Sequence, residues 1–332
     1  MKVYHKALTA GFCVALALSM TGCGDKVLDG SQTVATVGEK TMTLGEANFL
    51  LRYQQVQVET YYESMLGEGI YDMDLYGDGT TLGENMKNDI MTQMQEYYIL
   101  EEKAADYGVE LTEDDKAAIT EAAEGFLEAN GEDVQAQMTA DQATIEKVLT
   151  LMTVGTRTAN AVAASAEVNV TDEEAAQRGF SYISVSKGSG DDALTEEEIQ
   201  ENRAKLEAVI AGVDAGSSFD TLAEGQELTV NTGSYSSDNT GAYAEEMITA
   251  LDALAEGQVS GVIETDTNLY LVQLTAEFDE EATASRKQTL IINAQSEFYD
   301  TTMDGWKEEY PMTVETSVWD EVVFDRSYDL AQ

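Results

Sequence analysis

The residue types best suited to covalent or acid–base chemistry are rare in this 332-residue chain and lie at its start. The sequence has two cysteines, Cys13 and Cys23, and one histidine, His5. A cysteine thiolate is a nucleophile and a metal ligand, and histidine is the usual general base near neutral pH. The fate of this first segment therefore decides which kinds of chemistry the rest of the protein can perform.

The segment has the layout of a secretion signal. A positively charged start is followed by an apolar run over residues 7–20 and by small residues before Cys23. The run is too short for a membrane-spanning helix, which needs about 20 apolar residues. Its end, MTGC at residues 20–23, resembles the lipobox of bacterial lipoproteins, which implies cleavage before Cys23 and lipid on its sulfur. We therefore predict a signal peptide over residues 1–22 and lipidation at Cys23, with an ordinary signal as the alternative.

This processing would remove His5 and Cys13, so the mature chain would contain no histidine and no free thiol. Disulfides, cysteine nucleophiles, histidine bases and zinc sites built from histidine and cysteine are then excluded. Any catalysis would have to use carboxylates, hydroxyls, lysines or backbone groups. We predict no cofactor and no metal.

The charge balance restricts the partners. The chain has 63 acidic and 18 basic residues, a formal net charge of −45 at pH 7. Nucleic-acid binding depends on cationic contacts to phosphate, so we predict no nucleic-acid partner. Anionic lipid headgroups would also repel this surface, which leaves membrane attachment to the lipid. The 43% hydrophobic content is enough for a folded core. The acidity is best interpreted as surface solubility outside the cell, and a cationic partner is the alternative.

One acidic loop has a pattern similar to calcium-binding loops. Residues 71–84 read YDMDLYGDGTTLGE, in which Asp72 and Asp74 supply the alternating carboxylates that hard cations prefer. The fifth loop position is Tyr76, however, and the twelfth, where such loops carry glutamate, is Gly83. We therefore favour a polar surface loop between two helices over a metal site.

A group of methionines, Met86, Met91 and Met94, lies on one predicted helix. Flexible thioethers suit surfaces that accept many apolar partners, and they equally suit gaps in a core. The sequence leaves both interpretations open.

The first half of the chain reads as helical. A strand is predicted over residues 33–38, and Thr43 with Glu46 forms a capping box that begins a helix. Three further helices are predicted, one carrying the methionines, one capped by Thr112 and one over residues 141–167.

The second half mixes strands and helices. Capping boxes begin a short helix at Thr171 and a longer one at Thr195 that extends to Gly212. Strand patterns recur over residues 180–185, 228–230, 261–264 and 269–274. A helix is predicted over residues 284–306, followed by Pro311 and a strand-like tail that holds Val314, Val318 and Trp319.

Several phrases in this order resemble the extracytoplasmic foldase lipoproteins that join a SurA/PrsA-type helical chaperone module to a parvulin-like peptidyl-prolyl isomerase domain. VATVGEKTMTLGEANFLLR is similar to their first strand, turn and helix, YGVELTEDD to a helix junction, and VNVTDEE to the start of the isomerase domain. ENRAKLEAVIAGVDAGSSFDTLAEG and ALDALAEGQVSGVIETDTNLYLVQL are similar to a parvulin helix and to the parvulin closing segment.

The resemblance implies an α+β fold: a helical chaperone module, completed by a C-terminal helix, with an inserted parvulin-like domain of helices on a small antiparallel sheet. The implied divisions are a signal over residues 1–22, a lipidated tether over 23–33, the first part of the chaperone module over 34–167, the parvulin-like domain over 168–280, and a C-terminal helix and tail over 281–332 that return to the module.

The residues at the positions of the family's active site differ from its pattern. The two histidine positions correspond to Tyr182 and Tyr270, and the residues that floor the proline pocket correspond to Tyr243 and Met247. The alternative interpretation is that Tyr182 and Tyr270 simply fill the interior, where a tyrosine hydroxyl usually finds a partner. Rotation about the peptide bond before proline needs no nucleophile, so isomerase activity is predicted to be weak rather than impossible.

The sequence therefore predicts a chaperone that is anchored to the outer face of a bacterial cell membrane through Cys23 and binds unfolded secreted polypeptides. An active peptidyl-prolyl isomerase is the first alternative. A solute-binding lipoprotein is a remote one, because such proteins usually have two similar α/β lobes.

Overall fold

The computed structural model describes residues 17–22, 27–66, 69–190 and 193–330. Cys23 and most of the predicted signal peptide lie outside the described residues. The chain divides into two compact units. The helical unit comprises Met1–Ala166 and Gln295–Gln332, and the sheet unit comprises Glu167–Ala294.

Long helices dominate the first half of the chain, and strands and shorter helices alternate in the second. Up to Ala166 the elements are β1 Leu18–Gly22, β2 Thr33–Val37, β3 Lys40–Thr43, α1 Leu44–Leu66, α2 Leu82–Lys103, α3 Glu113–Ala129, α4 Glu132–Gln137 and α5 Gln142–Ala164. The next are β4 Arg178–Ser186, α6 Glu196–Asp214, α7 Phe219–Gly225, β5 Val230–Tyr235, α8 Glu245–Asp252, β6 Ile263–Glu264 and β7 Asn268–Ala276. The last are α9 Glu280–Glu309, β8 Met312–Val314, α10 Thr316–Trp319 and β9 Arg326–Leu330.

Capping boxes begin several helices, as the sequence predicts. At α1, the Thr43 N–H donates to Glu46 Oε2 at 2.8 Å, and the Glu46 N–H donates to Thr43 Oγ1 at 3.3 Å. The same reciprocal pair begins α3 at Thr112 and α6 at Thr195. These bonds satisfy backbone donors that the first turn of a helix leaves unpaired.

The prediction of a short helix after Thr171 is wrong. Thr171 and Glu174 do form the reciprocal bonds, with the Thr171 N–H 2.8 Å from Glu174 Oε2. Residues 172–175 nevertheless form only a turn, and β4 begins at Arg178. A cap supplies one or two bonds, which do not offset the cost of starting a helix that has no room to extend.

The core of the helical unit lies between α1, α2, α3 and α5. Fully buried aliphatic side chains from these helices form one cluster with residues of β2. The C-terminal half of α9 joins it, because Met303 is buried there and Trp306 packs against the same cluster. Lys307 Nζ also pairs with Glu96 Oε1 of α2 at 2.7 Å. The division between the units falls inside α9, at residues 294–295, whereas the resemblance suggests residue 281.

The sheet unit is built on four antiparallel strands in the order β5-β4-β7-β6. Side chains alternate between the two faces along each strand. Phe180 and Tyr182 of β4 contribute to a cluster with α8, while Ile183 contributes to a separate cluster with α6 and α7. The chain thus combines a helical unit with a unit in which helices pack on a small antiparallel sheet. This confirms the predicted α+β fold class.

The tail differs from the prediction. Val314 ends a short strand, β8, which pairs with β2, but Val318 and Trp319 lie in the helical turn α10 rather than in a strand. The last strand, β9, pairs with β1, which comes from the end of the predicted signal peptide. These paired residues are 275 or more positions apart, so the pairings leave no local signal in a sequence.

The structure contains no helix, within residues 17–22, 27–66, 69–190 and 193–330, that is both long enough and apolar enough to cross a membrane.

Candidate functional site

The tyrosines at the implied active-site positions belong to an aromatic cluster on one face of the sheet unit. Tyr182 comes from β4, and Tyr243 comes from the segment that leads into α8. Their ring centroids lie 5.9 Å apart at 72°. Phe180 contacts both, at 4.9 Å from Tyr243 and 5.7 Å from Tyr182. Two of the three pairs are edge-to-face and the Phe180–Tyr182 pair is tilted, and aromatic rings in such arrangements attract one another.

A glycine on β5 makes this packing possible. A Cβ atom at Gly233 would overlap the hydroxyl of Tyr243 and lie 2.8 Å from Cζ of Phe180. The absence of a side chain at Gly233 therefore lets the Tyr243 ring lie against the backbone of the strand. The sequence phrase around Gly233 offers no motif that would have revealed this contact.

Neither Tyr243 nor Tyr235 is prepared to act as a base near neutral pH. Burial raises the pKa of Tyr243, and the neighbouring Tyr182 raises it further. Burial also raises the pKa of Tyr235 to about 12, together with the hydrogen bond that its hydroxyl donates to Asp252. The cluster can therefore offer aromatic surface and hydroxyl donors, but it has no proton acceptor of the kind that a histidine supplies.

Tyr182 and Tyr270, which the resemblance places at the family's histidine positions, lie on the same face of the sheet, two residue pairs apart along β4 and β7. Tyr182 pairs with Val272 of β7, and Tyr270 pairs with Ser184. Tyr270 also lines a polar cleft of about 450 Å³ at the end of the strands. The cleft contains an ion pair that sequence analysis missed, in which Lys187 Nζ lies 2.8 Å from Glu264 Oε1.

The hydrogen bond from Lys187 holds the pKa of Glu264 below its usual range, with Arg203 also paired to the same carboxylate. Lys187 and Glu264 are far apart in the sequence, so only the strand register brings them together. Lys187 and Glu264 are therefore already paired, and the cleft is also lined by Glu246 and Asp266.

Met247, the second residue of the implied proline pocket, is 1% exposed. It lies inside the cluster between α8 and the sheet. Tyr243 is only partly buried and so reaches the surface. A proline ring could therefore contact Tyr243 directly, whereas contact with Met247 would require the core to open.

The helical unit has a different kind of cleft. A cavity of about 380 Å³ lies between α1, α2 and the loop over residues 73–80, with side chains from each of the three. Its lining is mixed, with apolar and polar members: Gln54, Val58, Leu75, Tyr76, Leu82, Asn85, Met86 and Asp89. Tyr76 is 71% exposed, and Leu75 and Met73 are also exposed. We call this feature the apolar cleft.

The loop beside the apolar cleft is shaped by its own carboxylates. Asp74 Oδ1 accepts from the Gly77 N–H at 2.6 Å, and Asp74 Oδ2 accepts from the Gly79 N–H at 3.0 Å. Asp78 accepts from the N–H of Thr80 at 2.9 Å, and its side-chain bond to Thr80 lowers the pKa of the carboxyl group. These carboxylates fold the loop and project the apolar side chains of residues 75–76.

Across the described ranges, no three or more His, Cys, Asp or Glu side chains cluster in a way that could hold a metal ion.

The structure decides between the two interpretations of the methionines, a binding surface or the filling of a core. Met86, Met91 and Met94 are all buried in the core of the helical unit, and Met94 has no exposed surface. Met86 also reaches the floor of the apolar cleft. The group therefore mainly fills space between helices, and the exposed apolar surface comes from Leu75 and Tyr76 instead.

No protein-family model and no curated protein sequence matches the chain. Solved structures with a similar fold include a SurA-like chaperone of Campylobacter jejuni, from work on PEB4 and Cj1289, with 10% identity, a TM-score of 0.29, and coverage of 85% of this chain and 98% of that one. Foldase protein PrsA from Streptococcus pneumoniae is 18% identical, with a TM-score of 0.33 and coverage of 75% and 97%. Peptidylprolyl isomerase (PrsA) from Bacillus cereus is 14% identical, with a TM-score of 0.30 and coverage of 88% and 97%.

Proposed function

We propose that this protein is an extracytoplasmic chaperone that holds unfolded secreted polypeptides in its helical unit. The observation that carries the proposal is the apolar cleft, where Leu75 and Tyr76 are exposed beside buried residues of α2. Exposed apolar side chains that line a cavity are typical of a surface that binds other chains. The sequence resemblance to the SurA/PrsA-type foldases supports the same role.

The sheet unit is proposed to have a parvulin-like shape with little isomerase activity. The barrier to rotation of a peptide bond is about 18–20 kcal/mol, and a catalyst lowers it by binding the twisted state. Here the histidine positions hold Tyr182 and Tyr270, and Met247 is buried. If about 4 kcal/mol of that stabilisation is missing, roughly a thousandth of the rate remains, because each 1.36 kcal/mol is worth a factor of ten.

Anchoring through Cys23 completes the proposal. Each buried lipid CH₂ contributes about 0.8 kcal/mol, so two or more acyl chains would hold the protein firmly despite its acidic surface. A Cys23→Ala precursor is expected to stay unprocessed or to be released. Detergent phase partitioning would measure this, and a variant that remains firmly membrane-bound would contradict the anchor.

The holding function can be tested with the purified mature chain and reduced α-lactalbumin, an acidic client that the net charge cannot attract. Light scattering should show suppressed aggregation, and a Leu75→Ser, Tyr76→Ser variant should lose at least half of the protection. The matched control is Phe278→Ser, which removes an exposed aromatic side chain from the sheet unit. Equal loss in both variants would show that the apolar cleft is not the binding surface.

The same preparation separates holding from catalysis. A proline tetrapeptide assay should show little acceleration of cis-to-trans conversion. A strong rate that falls in a Tyr243→Ala variant would overturn the proposal that the sheet unit has little isomerase activity.

A further inference from the structure

The C-terminal strand β9 and the segment before it are bonded to α1 through their main chain, and the Tyr328 side chain of β9 is also buried in the core of the helical unit. Three residues of α1 make the bonds. Arg52 Nη2 donates to the carbonyl of Val323 at 2.7 Å, Gln55 Nε2 donates to the carbonyl of Arg326 at 2.7 Å, and Glu59 Oε2 accepts from the Tyr328 N–H at 2.6 Å. The spacing of these three residues places them on one side of the helix.

These three side chains are buried and bonded to one another. Arg52 Nη1 donates to Gln55 Oε1 at 2.7 Å, and Gln55 Nε2 also donates to Glu59 Oε1 at 2.8 Å. Burial lowers the pKa of Arg52, with nearby carboxylates acting in the opposite direction. Burying such polar and charged groups is costly unless they are hydrogen-bonded. The network is therefore a preformed set of hydrogen-bonding groups that binds an extended backbone.

The opposite edge of β9 is occupied by β1. Backbone groups of successive strand residues point to opposite sides, so the bonds of Arg326 and Tyr328 to α1 leave residue 327 facing β1. The antiparallel register pairs Thr21 with Ser327 and Met20 with Tyr328. β1 therefore completes a two-stranded sheet on a strand that α1 already holds in place.

Two side chains of β1 pack against the core of the helical unit. Leu18 is 8% exposed and belongs to the core cluster, and Met20 packs against the same cluster. The Leu18 N–H donates to Asn130 Oδ1 at 2.8 Å. The site thus accepts apolar side chains two residues apart on an extended segment, together with a bond to its backbone.

β1 lies inside the predicted signal peptide, so processing before Cys23 would remove it. That step would expose the edge of β9 and the position of Leu18. An exposed strand edge pairs readily with another extended chain, and apolar positions beside it select the side chains.

We propose that this edge of β9, with the Leu18 position, is a binding site for an extended apolar segment of an unfolded secreted polypeptide. In the precursor the protein's own signal segment fills the site, and cleavage opens it. The observed occupant argues for this partner, because secreted chains carry apolar segments of the same composition in their signals. The inference rests on the processing and holding roles proposed above and locates one place where a client binds.

A register-specific cross-link tests the site. A chain that begins at residue 24, and so lacks Cys23, has no cysteine, and Ser327→Cys gives it a single thiol. The probe is the peptide LALSMTG, residues 16–22, with cysteine in place of Thr21, which pairs with Ser327. Paired strand positions are close enough for a disulfide. Cross-linking should be at least tenfold faster than with cysteine in place of Ser19, and Leu18→Asp with Met20→Asp in the peptide should abolish it.

Two further samples complete the design. Full-length protein with Cys13→Ser, Cys23→Ser and Ser327→Cys should resist the peptide, and adding Leu18→Asp and Met20→Asp to that chain should restore cross-linking. This second sample keeps the test valid if the mature chain loses its fold, which tryptophan fluorescence would reveal.

Reduced and carboxymethylated α-lactalbumin, whose blocked thiols cannot exchange with the disulfide, should compete with the peptide. A cross-link without register preference, or one that the client does not compete for while aggregation is still suppressed, would overturn this inference and leave the proposed chaperone role intact. Absence of any aggregation suppression would instead overturn the chaperone role, whatever the peptide does.

Discussion

The two units place polar and aromatic groups in opposite ways. In the sheet unit, the positions where an isomerase would need polar groups hold packed rings, with Phe180 at their centre. In the helical unit, a position where packing would suffice holds the buried network of Arg52, Gln55 and Glu59. Side chains that depart from the simplest packing often mark function. The difference supports the proposal that the helical unit carries the binding surface and that the interior of the sheet unit is mainly structural.

The chain supplies a reporter that separates the units. Its two tryptophans, Trp306 and Trp319, both belong to the helical unit. Trp319 is buried, with Lys87 Nζ 5.3 Å from its ring centroid, and Trp306 packs edge-on against Tyr107. Tryptophan fluorescence should therefore follow unfolding of the helical unit, while far-UV circular dichroism follows both units.

The largest expected effect is in the aromatic interior. Phe180 is 1% exposed and contacts three tyrosine rings, so Phe180→Ala should lower the free energy of unfolding of the sheet unit by about 4 kcal/mol. Urea titration should show an earlier transition by circular dichroism and an unchanged fluorescence midpoint. An equal shift of the fluorescence midpoint would show that the units do not unfold separately.

A smaller effect is expected at an ion pair of the helical unit. Arg157 donates to both carboxylate oxygens of Asp115, at 2.6 and 2.7 Å. That bond is the main cause that holds the pKa of Asp115 well below its usual range. Asp115→Asn should lower the free energy of unfolding by about 2 kcal/mol at pH 7.

The contribution of Asp115 to the free energy of unfolding should depend on pH. Because the folded-state pKa of Asp115 lies below the unfolded value of about 3.9, its contribution is fully present above that pH. The contribution is lost as the pH falls towards the folded-state pKa, so the wild-type and variant fluorescence midpoints should converge below about pH 4. Glu113→Gln, which affects an exposed pair with Lys116, is the control and should change the midpoint little. A gap that stays constant down to pH 2 would contradict the assignment.

The smallest expected effects on the free energy of unfolding come from the helix caps, and they compare the two units directly. Thr112 caps α3 in the helical unit, and Thr195 caps α6 in the sheet unit, with the same reciprocal bonds. Replacing either with alanine should lower the free energy of unfolding by about 1 kcal/mol. Only Thr112→Ala should move the fluorescence midpoint, so a shift in Thr195→Ala would argue against separate units.

Local signals explain what the sequence could predict. The caps at Thr43, Thr112 and Thr195 and the alternation in β4 depend on residues a few positions apart, and they were confirmed. The helix α4 was missed because it is only six residues long and has no side-chain cap.

The candidate site was less predictable. The sequence resemblance pointed to Tyr182 and Tyr243, but their contact depends on the missing side chain at Gly233. The burial of Met247 depends on how α8 packs on the sheet. The pairing of β1 with β9 could not be inferred, because it joins the two ends of the chain.

The pairing of β2 with β8 has a consequence for the order of folding in the export that we propose for this chain. Thr36 pairs with Thr313, and the Gly38 N–H donates to the carbonyl of Pro311 at 3.1 Å. A chain that crosses a membrane from its N-terminus exposes β2 first but must wait for almost its whole length before β8 arrives. The sheet unit, which is continuous in sequence, can form in that interval. Such distant pairings close slowly, so the helical unit is expected to be the last part of the newly exported molecule to mature.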